Sequence, residues 1–243
     1  MRTAVCEPPP SCDGLRPHGR RPAGGGRRTT AGTAALALAL GLAAAPGPAA
    51  AHPHIFIDGG VDFLFDDAGR LEMLRVTWIY DPLTSLLMLE DLGVDPGAQT
   101  LSPSERRAVA AYQTEWIEGF EGDSYLFDGR RRIGLSGPLA PDAELMGSRV
   151  AIRFERAVAA PFRPGPETVA KVYDPSYFTA YFVTEAPRLE GGAAGCRARV
   201  EPFEPTGPLM ALQRSLFSIG IDAEPEDPEV GALFADRVHL RCD

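Results

Sequence analysis

Lysine is almost missing from this 243-residue chain: Lys171 stands alone against twenty-three arginines. With 33 acidic residues against 24 basic ones and a net charge of −9, no basic patch can be drawn on the bulk of the sequence. That argues against nucleic acid and anionic membrane as partners. No strongly apolar run reaches the roughly 20 residues that span a bilayer. There is no G-x-S-x-G nucleophile elbow, no H-E-x-x-H metalloprotease pair and no Gly-rich phosphate loop after a strand. The familiar hydrolase, metalloprotease and nucleotide chemistries are therefore unsupported, and we expect no enzyme. Gly191-Gly192-Ala193-Ala194-Gly195 reads as a flexible turn.

What is present begins with an export signal. Arg20, Arg21, Arg27 and Arg28 precede an Ala/Leu/Gly run from Ala31 to Ala45, Pro46 and Pro48 stop any helix, and Ala49-Ala50-Ala51 offers small residues to signal peptidase. We expect residues 1–51 to be removed as a signal peptide, leaving 52–243 as a single periplasmic domain that does not span the membrane. The leader carries +4, so the mature part carries −13. Such a surface suits cation binding and plain solubility alike. Cys6 and Cys12 leave with the leader, and the remaining pair, Cys196 and Cys242, reads as a disulfide in an oxidising compartment.

Hydrophobic periodicity gives the outline. Ile55, Ile57, Val61, Phe63 and Phe65 alternate up to a break at Asp66-Asp67-Ala68-Gly69, and Leu71 to Tyr80 returns, which predicts a β-hairpin. Asp81-Pro82 opens a helix whose run Leu83 to Leu92 is apolar on most faces and is expected to be buried. Ser102-Pro103-Ser104-Glu105 is a capping box, and a second helix is expected from Pro103 to Phe120 with Val109, Tyr112, Trp116 and Phe120 facing inward. Further strands are expected at 124–127, 132–136, 149–154, 168–173, 178–184, 197–203 and 237–242, with a short amphipathic helix over 209–219. The fold class read from this order is α+β: an antiparallel β-sheet with a two-helix insertion and a short C-terminal helix.

The candidate chemistry sits at the exported terminus. His52 and His54, two residues apart in a strand, point to one side and can meet one divalent transition metal, zinc or nickel first, with cobalt and copper also suited to imidazole. If cleavage falls after Ala51, the terminal amine and His52 chelate together and His54 adds a third nitrogen, the arrangement of a copper histidine brace. Pro53 has no N–H to lose, which removes the other familiar amino-terminal copper motif. Asp58 and Asp174 are the carboxylates chosen to complete the set, with Tyr173, Asp81 and His239 as supports. Each has an ordinary alternative: a loose terminus for the histidines, a helix cap for Asp81, an Asp-Pro turn for Asp174 and a plain strand position for His239. Leu92 to Glu105 has the outline of a calcium-binding helix–loop–helix, but Val94, Pro96 and Ala98 stand where oxygen ligands belong, so no calcium is expected.

His52-Pro53-His54-Ile55-Phe56-Ile57-Asp58 and Val172-Tyr173-Asp174-Pro175-Ser176-Tyr177-Phe178 together resemble the bacterial domain of unknown function 1007 family, over nearly the whole mature chain. The resemblance implies a periplasmic component of an uncharacterised ABC-type transport system, and a companion of nickel/cobalt-type membrane permeases. Members whose helical connection keeps an acidic, Gly-containing loop look more EF-hand-like than this chain, which departs at Val94 to Gln99. The resulting expectation is a transition-metal-binding accessory serving a membrane metal transporter. The alternative is an envelope interaction protein with no metal role.

Overall fold

The structure, a computed structural model, describes residues 53–220 and 223–243. The expected signal peptide and His52 lie outside the described residues. Among the described residues eleven strands form two sheets. In the first sheet β1 (Ile55–Phe65), β2 (Leu71–Tyr80), β5 (Leu139–Met146), β6 (Arg149–Phe162) and β8 (Thr179–Val183) run in the order β5-β6-β2-β1-β8, and β9 (Leu189–Gly191) also pairs with β1. The second sheet contains β3 (Ser124–Asp128), β4 (Arg131–Ile133), β7 (Thr168–Val172), β10 (Cys196–Glu201) and β11 (Arg237–Cys242), in the order β10-β11-β7-β3-β4. The helices are α1 (Pro82–Asp91), α2 (Pro103–Thr114) and α3 (Gly207–Leu216), followed by a 3₁₀ turn at Val230–Leu233.

The single antiparallel sheet expected from the sequence is therefore corrected. Strand outweighs helix by 41% to 19%, and the chain is a two-sheet, β-rich fold. Nor is the first sheet purely antiparallel, since β1 runs parallel to both β8 and β9. Two things hid this. The polar, exposed β5 gives no apolar alternation, and strand partners separated by more than a hundred residues leave no local sign of which sheet they join.

The β1–β2 hairpin forms as its alternation requires. Asp66 Oδ1 accepts from the backbone of Ala68 and Arg70, and Gly69 closes the turn at φ +72°. One face of the resulting sheet is apolar along its whole length and is covered in two stretches. Ile57, Val76, Trp78 and Ile152 pack against Met88, Leu89 and Val109 of the helices, whereas Val61, Phe63 and Leu74 pack against Leu126, Val172, Val238 and Leu240 of the second sheet. Between helices and second sheet the cover is incomplete, and the site described below lies there.

Both N-caps are as the sequence predicts. Asp81 Oδ1 accepts from Thr84 N at 2.9 Å, and Ser102 and Glu105 form the reciprocal capping box. The expected burial of α1 is corrected: only Ser85, Met88 and Leu89 are buried, while Leu83, Leu86 and Leu87 face outward, because only one side of the helix meets the sheet. Helix α2 is shorter than expected. It stops at Thr114, where Trp116 folds back and its Nε1 donates to Gln113 O at 3.0 Å. Tyr112 is exposed, donating to Asp91 Oδ2, and Phe120 lies beyond the helix with its ring at right angles to that of Trp116. Cys196 and Cys242 are register partners in β10 and β11 and are disulfide-bonded. Among the described residues no helix is long and apolar enough to cross a membrane.

Candidate functional site

A cavity of about 620 Å³ opens where the two sheets and the helices diverge. The first sheet contributes Ile55 and Ile57 from β1, Trp78 and Tyr80 from β2, and Thr179 and Tyr181 from β8. The second contributes Tyr125 of β3, with Asp123 just ahead of it. The turn Asp174–Ser176 and a stretch carrying Glu224 and Glu229 complete the rim. Five carboxylates line this space, those of Glu121, Asp123, Asp174, Glu224 and Glu229, and no Lys, Arg or His does so among the described residues.

Asp123 is the most perturbed of them. It is 7% exposed and adopts the left-handed backbone region at φ +44°, following Gly122 at φ +74°. Gly122 is required there, because a Cβ would stand 2.1 Å from the Trp116 ring. Asp123 Oδ2 accepts from Tyr181 Oη at 2.8 Å. Burial, and then the nearby Asp174 charge, push the Asp123 carboxyl up to about 7, against the opposing pull of the Tyr181 hydrogen bond and the Arg156 charge. Burial and the same carboxylate raise Tyr181 and Tyr80 above the usual phenol range, so both remain protonated donors. Tyr80 donates to Gln113 Oε1 at 2.9 Å. Trp78 Nε1 is shielded from solvent and has no hydrogen-bond partner among the described residues.

Arg156 holds this wall together. On β6 the inward positions read Val150, Ile152, Phe154, Arg156, Val158, so a guanidinium occupies a place in the apolar alternation. It is 5% exposed and donates to the carbonyls of Ser136, Glu121 and Ser124 and to Ser124 Oγ, with the Trp116 ring 5.1 Å away. Burial lowers it to about 10, so it stays charged at neutral pH.

The residues singled out from the sequence are placed as follows. His52 lies outside the described residues. His54 stands just before β1, donates its backbone N–H to Phe178 O at 2.8 Å and packs its ring 4.7 Å from the Phe178 ring. Asp58 is bound to Arg149 at 2.6 Å. Asp81 caps α1 and also accepts from Phe56 N at 3.1 Å. Asp174 is an Asx turn: Oδ1 accepts from Ser176 N and Oγ, and Oδ2 accepts from Thr179 N. Tyr173 stacks on Tyr125 at 4.2 Å, and His239, in the second sheet, sits 3.1 Å from Glu201. Among the described residues no three His, Cys, Asp or Glu side chains are grouped to hold a metal ion. Of the described candidates, Asp174 alone lines the cavity.

The structure does bring the two sequence motifs together. Ile55, Phe56, Ile57 and Asp58 pair in parallel with Thr179, Ala180, Tyr181 and Phe182, and His54 N donates to Phe178 O, so the described part of the first motif, His54–Asp58, meets the end of the second. Asp123, Tyr181 and Arg156 were not found by sequence reasoning. A signal existed for Arg156, as an arginine in phase with four apolar neighbours. None existed for Asp123, whose partner lies 58 residues away.

Fold and cavity define a two-sheet, β-rich protein with an acidic, aromatic-walled cleft beside the start of its first strand. More particularly, the family model described as protein of unknown function DUF1007 matches residues 37–242, and the chain belongs to that family. No curated protein matches it.

Proposed function

We propose that this is a periplasmic accessory protein that binds a divalent transition metal as cargo, zinc or nickel first, and serves a membrane metal permease. His52 and His54 are its primary ligands. The observation that carries the reading is the docking of Pro53 and His54. Pro53 is buried, and His54 is fastened to Phe178 through its backbone, one residue before the cavity wall begins at Ile55. That anchoring supports an ordered imidazole at the exported terminus, and the carboxylates of the adjoining cleft raise the local concentration of cations.

Native mass spectrometry of untagged protein exported from cells tests this directly. The expected species begins at His52 and carries one zinc or nickel, which is lost from the His52→Ala/His54→Ala double variant. A chain that arrives metal-free and takes up no added zinc, nickel or copper overturns the proposal. One extra residue placed before His52 separates its versions: a copper brace is lost with the free terminal amine, whereas a two-imidazole site is kept.

The outward leucines of α1, with Leu83 at 66% and Leu87 at 56% exposure, favour a second reading as an envelope interaction protein without a metal role. On that reading the double histidine variant keeps its partner.

A further inference from the structure

The cleft has a chemistry of its own, distinct from the terminal histidines. We propose that it binds a protonated alkylamine, a compact organic cation whose ammonium group is held by the Asp123 carboxylate.

Three observations converge on this. The first is charge: five carboxylates and no cationic side chain line the cavity among the described residues, so a cation is favoured and an anion is repelled. The second is an available acceptor. Asp123 is more than nine-tenths buried on the cavity wall, Oδ2 is taken by Tyr181, and no hydrogen bond reaches Oδ1 among the described residues. An ammonium with three N–H donors is the natural complement of such a carboxylate. The third is shape. At about 620 Å³ the space is of small-molecule size, and its apolar walls, Ile55, Ile57 and Phe120, suit an alkyl stem.

The same geometry disfavours a bare metal ion in the cleft. A metal needs several donors converging at about 2.0–2.6 Å. Here no three ligating side chains cluster among the described residues, and both Asp174 oxygens are already engaged by their own turn. An organic cation spreads its body over several ångströms and tolerates dispersed carboxylates. Aromatic rings, including Trp78 and Tyr125, add attraction for the same charge.

Binding should be proton-linked. Asp123 is faced by Asp174 from the turn before β8, by Glu121 from its own loop, by Tyr80, Tyr125, Tyr173 and Tyr181 from β2, β3, the end of β7 and β8, and by Arg156 from β6. The tyrosines are neutral and Arg156 is charged across the working range, so the ionisation of Asp123 sets the pH response near 7.

Isothermal titration of the full exported chain with putrescine, in EDTA, is the test. At pH 8 we expect saturable binding of one putrescine, weakening about tenfold at pH 6 as Asp123 takes up its proton. Asp123→Asn should lose at least about tenfold in affinity while keeping the native circular dichroism spectrum. Asp67→Asn, on the distant hairpin turn, should bind as the parent does. Folded parent protein that fails to bind putrescine overturns the proposal, as does an Asp123→Asn variant that binds undiminished, equal binding of uncharged 1,4-butanediol, or uptake that appears only when zinc or nickel is added.

Discussion

Tyr181 donates its hydroxyl to Asp123 Oδ2 at 2.8 Å, and this one contact joins β8 of the first sheet to the head of β3 in the second. The acceptor is a buried carboxyl pushed up to about 7 and the donor a phenol held protonated by the same burial. A neutral Asp123 is tolerated at this buried position, whereas an ionised one has the Tyr181 hydroxyl as its side-chain donor. The fold thus holds a carboxyl whose ionised form is poorly matched to its surroundings.

That mismatch fixes the sign of the pH dependence. The native Asp123 carboxyl titrates near 7 and the unfolded one near 3.8, so between those values the native state holds a proton that the unfolded chain has released. Its contribution to stability is full below about pH 4 and declines as pH rises towards 7. Asp123→Asn keeps an oxygen for Tyr181 and removes the charge. It should raise stability at pH 8 by on the order of 1–4 kcal/mol and have little effect at pH 4, measured by urea unfolding at both. Equal effects at the two pH values would contradict the assignment.

Gly122→Ala puts a Cβ 2.1 Å from the Trp116 ring, at a φ of +74° that side chains rarely adopt. We expect a loss of about 2–4 kcal/mol in chemical denaturation. Gly137→Ala, where a Cβ meets nothing within 4 Å, should stay within about 0.5 kcal/mol of the parent.

Removing the disulfide by Cys196→Ser/Cys242→Ser frees a closure spanning 46 residues. The expected cost is about 3–4 kcal/mol. Reductant should produce the same shift in the parent protein and none in the variant.

The burial correction in α1 is also measurable. Leu83→Ser and Leu87→Ser, at exposed positions, should each change stability by less than about 0.5 kcal/mol, while Leu89→Ala, at 2% exposure, should cost about 2–5 kcal/mol. Comparable losses at all three positions would show that the outer face of the helix is covered.

Much of this was legible along the chain. The β1–β2 hairpin announced itself by period-two alternation ending at a Gly turn, both N-caps by Asp-Pro and Ser-Pro-x-Glu, and the disulfide by two cysteines left beyond the expected leader. Each is a local rule or a parity argument that needs no knowledge of distant partners. Burial of α1 was misread because its apolar run surrounds the helix, and only the position of the sheet decides which side is covered. Trp116 and Phe120 kept their helical spacing in sequence, yet the backbone turns away at Glu115, where Trp116 itself satisfies a terminal carbonyl.

What the sequence determined by itself was therefore each strand and cap whose signal lies within a dozen residues, together with the acidic balance and the family motifs. Tertiary structure alone decided that there are two sheets, that β1 runs parallel to β8, and that Asp123 is brought to Tyr181 and within reach of the Arg156 charge. The reason is physical. Periodicity records which face of an element is buried, but the identity of the partner is settled by packing across long sequence separations, and the ionisation of a carboxyl is set by the neighbours that packing brings to it.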